Sequence, residues 1–189
     1  MNGVNNLKKI EKDDAINILD RTIGFVTNCD SKASVLLGVF GVLLTILFSS
    51  DGVTELKSII KIAISAGTWY GVLYCVILVF TSIVFYFGIV KLLQVLFPKI
   101  DCDELKQEDL ELNSNIFFGG ICKNSTYKQY KDKMMKCNQD EYLNDIISQI
   151  YLNSVICDRK YKNFKIGVVV ALIGFLSFIA VWGIGIIVY

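Results

Sequence analysis

Residues 140–189 constrain this chain more than any other stretch. From Leu143 the apolar or small residues recur as Leu143, Ile147, Ile150, Ser154, Cys157, Tyr161 and Phe164, in alternating steps of four and three. That is the spacing of one buried helical stripe. The stripe then gives way to Ile166–Tyr189, where no side chain is charged. At about 1.5 Å per residue this run is roughly 36 Å long, enough to cross a hydrocarbon core of about 30 Å. No proline interrupts the join, and Gly167 is tolerated in a membrane helix. The pattern predicts one long helix that begins in water and ends across a bilayer.

Composition agrees. The chain is 53% hydrophobic with mean hydropathy +0.51, which places it among membrane proteins. One proline, 14 glycines and no strand-turn-strand pattern predict an all-α protein. A net charge of +1 gives no pull toward nucleic acid. The N-terminus is polar and mixed in charge, so no cleavable signal peptide is expected. There is no histidine, and the six cysteines form no CxxC pair, so no metal site is expected. Reduced thiols filling small apolar gaps account for them. No Gly-x-Ser-x-Gly or Walker A occurs, and Gly119-Gly120-Ile121-Cys122-Lys123 has the wrong spacing for a phosphate loop. No enzyme activity and no cofactor are expected.

In chain order, residues 1–8 read as frayed. Ile16, Leu19, Ile23 and Val26 mark an amphipathic N-terminal helix in 1–32. Residues 33–49 are uncharged and form the first span, with Gly38 and Gly41 inside it for close helix approach. Asp51-Gly52 reads as the turn that ends it. In 50–70, Thr54–Thr68 reads as a short amphipathic helix on the outer membrane surface. Residues 71–97 form the second span and its extension, stopped by Pro98. Residues 98–165 are the one sizeable soluble region. It holds an acidic helix-compatible stretch Asp101–Leu112, a break or buried turn at Asn115–Ile121 and a helix over Ser125–Cys137. Asn138 and Glu141 have capping-box spacing at the start of the long helix. The third span is 166–189. Lys and Arg number five in 1–32, two in 50–70 and eleven in 98–165. The positive-inside rule puts the N-terminus and 98–165 in the cytoplasm.

A family likeness lies in these residues. Asp30-Ser31-Lys32-Ala33-Ser34-Val35-Leu36-Leu37 resembles the "D-x-K-A-x-x-L-L" opening of Pycsar effector membrane proteins. Phe117-Phe118-Gly119, then Tyr142-Leu143, Asp145, Gln149-Ile150, Ser154 and Lys160-Tyr161 ahead of the last span, are similar as well. The resemblance implies an antiphage effector of the inner membrane. It would bind cyclic CMP or cyclic UMP made by a partner pyrimidine cyclase and disrupt the lipid bilayer; a homo-oligomer is expected as well. Two other functions fit the residues alone: a non-catalytic scaffold anchoring a partner protein, and a membrane toxin that needs no ligand.

Several clusters are candidates for the ligand, each with a plainer use beside it. Asn28, Asp30 and Lys32 stand at the mouth of the first span, as a polar cluster that meets ligand or the last helix, or as an ordinary interfacial flank. Asp145, Gln149 and Asn153 recur every four residues. They suit the edge of a pyrimidine and its ribose, an interhelical network, or a solvated face. Arg159, Lys160, Lys162 and Lys165 suit anionic lipid, with Lys160, inside the family pattern, the best partner for a cyclic phosphate. Phe118 with Phe117 can stack on a base or anchor a turn. Gly167, Ala171, Gly174 and Ser177 present a small-residue face for helix packing.

Overall fold

The computed structural model describes residues 10–97, 110–111 and 113–189. Among these there is no strand; the helices are α1 (Lys12–Leu47), α2 (Ser50–Ser65), α3 (Trp69–Leu96), α4 (Phe118–Ile121), α5 (Tyr127–Lys136) and α6 (Gln139–Val188). Residues 1–8, expected to fray, Pro98 and nearly all of the acidic 101–112 stretch lie outside the described residues. Helices α1, α3 and α6 are each long and apolar enough to cross a membrane.

The chain divides into two compact units. One draws on Met1–Thr27 and Ile100–Asp158, the other on Asn28–Lys99 and Arg159–Tyr189. Helices α1 and α6 supply residues to both.

The second unit holds the membrane-length segments. Its α3 and α6 meet backbone to backbone because small residues face each other. A Cβ on Gly88 would stand 2.3 Å from the Ala171 nitrogen, and one on Gly174 would stand 2.4 Å from the Phe85 nitrogen. Without a hydrophobic drive between helices in lipid, such close approach supplies the attraction by dispersion. Phe40 of α1 closes the layer, edge-on to Phe85 at 5.4 Å and to Phe175 at 5.7 Å. Gly167 also faces α3, at Leu92, and Ser177 is half-buried. Gly38 and Gly41 are exposed, and a Cβ on either would meet nothing within 4 Å. They play no part in packing this chain against itself.

Helix α2 corrects two expectations. It starts four residues earlier than Thr54, so Asp51-Gly52 belongs to its first turn and not to a connecting turn. The Ser49 hydroxyl accepts from the Gly52 amide at 3.5 Å, and Asp51 suits the positive end of the helix. Its apolar face is covered by protein. Ile59 and Ala63 are buried in a cluster with Tyr74 and Leu78 of α3 and Phe178 and Trp182 of α6. Gly67, with φ +59°, takes the left-handed step that turns the chain from α2 into α3.

Candidate functional site

In the first unit, α6 begins where Asn138 and Glu141 predicted. The Asn138 side-chain oxygen accepts from the Glu141 amide at 2.8 Å, and the Glu141 carboxylate accepts from the Asn138 amide at 3.1 Å. This reciprocal pair satisfies two donors that the helix ladder leaves over.

One turn further on, α6 gathers the segment before α4. Asp145 is 2% exposed. One of its carboxylate oxygens accepts from the Asn115 amide at 2.7 Å, and the other is buried without a partner. Ser148 accepts from the Glu111 amide at 3.2 Å, and the Tyr130 hydroxyl donates to the Asn115 carbonyl at 3.0 Å. The Ser114 hydroxyl accepts from the Ile116 and Phe117 amides at 3.2 and 3.0 Å, which folds the segment into a tight turn. Gly120 lets that turn close, since a Cβ there would stand 1.8 Å from the Ser114 carbonyl oxygen.

The turn closes a pocket of about 400 Å³. Helix α1 gives Ile16, Leu19 and Ile23; the turn gives Ile116 and Phe117; α6 gives Tyr142, Ile146, Gln149 and Asn153. The volume falls in the range of small-ligand sites, and the lining is apolar with two amides, the composition such sites favour. A second pocket, of about 490 Å³, has Lys12, Cys137, Asn138, Asp140 and Tyr142 among its walls. Tyr142 borders both. The Lys12 ammonium lies 4.7 Å from the centre of the Tyr142 ring, a cation–π contact. Burial first, then the Glu141 and Asp145 carboxylates, pushes the Cys137 thiol above its ordinary pKa.

The residues singled out from sequence separate into three groups. Gln149 and Asn153 line the first pocket; Gln149 is buried, and the Asn153 amide donates to the Gln149 carbonyl at 2.8 Å. Asp145 is absent from the lining of either pocket; its charge positions the turn that carries Phe117. Phe118 is 71% exposed and Phe117 stands in the wall instead, because the α4 turn rotates the second ring outward.

Asn28, Asp30, Lys32 and Lys160 belong to the second unit. Asn28 and Lys32 are exposed. Lys160 is buried and donates to Asp30, an ion pair between α1 and α6. Its ammonium, expected as the phosphate partner, is engaged by that carboxylate. Cys29 and Ala33, both fully buried, pack with Val95 of α3.

Sequence reading passed over Lys12, Ile116 and Ser148. Lys12 carried a signal, since it stands one turn before Ile16 on the same helical stripe. Ser148 and Ile116 carried none, because their pairing depends on a long-range fold.

The fold and pocket define a class: an all-helical membrane protein whose three membrane-length helices are joined in sequence to a pocketed helical unit. Comparison with known proteins narrows it. The family model described as the Pycsar effector protein domain matches residues 14–188, and the chain belongs to that family. The Pycsar effector protein GmPycTM of Gulbenkiania mobilis is 33% identical over 177 residues, covering 89% of this chain and 90% of the relative. The Pycsar effector protein EcPycTM of Escherichia coli is 26% identical over 153 residues, covering 78% and 76%. No solved structure matches.

Proposed function

We propose that this chain is an antiphage-defence effector of the bacterial inner membrane. It takes up cyclic CMP or cyclic UMP, made by a partner cyclase, in the pocket between α1, the Ile116–Phe117 turn and α6, and then disrupts membrane integrity. Family membership supports the class of activity. The observation that carries the ligand reading is the pocket itself, where two amides and two aromatic rings meet in an otherwise apolar wall. Amides read the donors and acceptors on a pyrimidine edge, and aromatic rings take its face. The distribution of Lys and Arg supports a cytoplasmic location for this pocket.

The route to the membrane is α1 and α6. Both helices wall the pocket, and both reappear in the second unit, joined there by Asp30 and Lys160. A ligand that binds one packing of this pair more tightly than another shifts the population toward it. The open face of α1 at Gly38 and Gly41 is suited to a second copy of the chain in the bilayer.

The test is equilibrium binding of cyclic CMP and cyclic UMP to the purified full chain, paired with a membrane-potential dye in vesicles carrying it. Binding of either nucleotide, weakened about tenfold or more by Gln149→Ala and Phe117→Ala, and depolarisation only with nucleotide present, is the expected result. Binding of neither nucleotide would remove the reading.

A further inference from the structure

A cyclic nucleotide carries one negative charge, and a partly buried phosphate needs a cation. Lys160, the candidate from sequence, is engaged by Asp30 in the other unit. Among the described residues, the pocket beside Gln149 has no basic side chain in its lining. Among the described residues around the adjoining pocket, Lys12 is the cation. No carboxylate among the described residues pairs with it, and its ammonium is held over the Tyr142 ring that separates the two pockets.

We infer that the nucleotide straddles Tyr142, with its base beside Gln149 and its cyclic phosphate in the adjoining pocket against the Lys12 ammonium. This rests on the nucleotide reading above and adds the residue that distinguishes a nucleotide from a nucleoside. Among the described residues, neither pocket alone offers both chemistries. The first has amides and apolar walls for a base; the second has the charge. Asp140 also borders the second pocket.

The experiment crosses two changes in the full chain. One removes the charge from the protein, by Lys12→Met. The other removes the phosphate from the ligand, by replacing the tighter-binding cyclic nucleotide with its nucleoside, cytidine or uridine. Lys12→Met is expected to weaken the cyclic nucleotide about tenfold or more while leaving the nucleoside unchanged, and Lys12→Arg to restore most of the loss. Raising salt should weaken the wild type and barely touch Lys12→Met. Equal affinity of wild type and Lys12→Met for the cyclic nucleotide would overturn the inference and leave the pocket reading standing. An equal loss for nucleotide and nucleoside would overturn it too, since it would assign Lys12 to packing against Tyr142. A wild type that binds no cyclic nucleotide would remove both readings together.

Discussion

Lys160 shows how a buried charge is tolerated in this protein. It is 4% exposed, and an ammonium so placed is costly unless paired. Asp30 supplies the partner from α1 and is itself only partly covered. Asp30→Asn should therefore lower stability in detergent by about 1–3 kcal/mol, read as a lower unfolding midpoint. Removing both charges, with Asp30→Asn and Lys160→Met, should recover most of that loss. No recovery in the double variant would mean the pair is not where the cost lies. The sequence offered the last helix as one partner for the cluster around Asp30 but did not single out Lys160. Lys160 stood in a basic run that suited lipid headgroups, and only the fold brings Asp30 to it from 130 positions away. Asp145 is a similar case, legible as important but not in its role. Cys137 offers a probe of the pocket it borders. Because its pKa is raised, the thiolate forms at higher pH than in an ordinary cysteine. Alkylation of Cys137 should be slower than that of exposed Cys122 at neutral pH, should catch up as pH rises, and should slow when cyclic nucleotide is bound. Mass spectrometry of the two alkylated peptides checks all three.

Among the elements, α6 was the most legible and α2 the least. The stripe from Leu143 and the Asn138–Glu141 spacing mark the start of α6, and both depend on local physics that sequence carries. Helix α2 misled because an amphipathic face says only that something apolar covers it, not whether lipid or protein does. Here Tyr74, Leu78, Phe178 and Trp182 cover it. Small residues have the same ambiguity. Gly174 touches the α3 backbone while Gly38 meets nothing within the chain, although both looked alike in sequence. Gly174→Ala should therefore force α3 and α6 apart and lower the detergent unfolding midpoint by several degrees. Gly38→Ala should leave it unchanged or slightly raised, given alanine's higher helix propensity. Comparable losses in both would place Gly38 in a contact with another copy of the chain.

For the whole molecule, the family and the three membrane-length helices were readable from charge-free runs and from the Asp30–Leu37 and Tyr142–Tyr161 patterns. The pocket was readable only as a convergence of three segments, because which ring of Phe117-Phe118 turns inward depends on the Ser114 turn. Helix α6 runs without a break through 159–167, the stretch the proposed signal would cross. Inserting Gly-Pro-Gly between Asp158 and Arg159 should leave nucleotide affinity within about threefold but abolish most nucleotide-dependent depolarisation. Full depolarisation in that variant would show that the signal travels some other way.

The face that α6 turns to its neighbours in the second unit carries Lys160, Gly167, Ala171 and Gly174 in fixed phase. One residue added or removed between Lys160 and Gly167 would swing everything beyond it by about 100°. The glycines would then point at lipid while Lys160 still gripped Asp30. Seven extra residues would nearly restore the angle but slide the glycines about 10 Å along α3, away from Leu92, Gly88 and Phe85, so this stretch of α6 should tolerate no change of length, and a lone codon gained or lost should silence the protein.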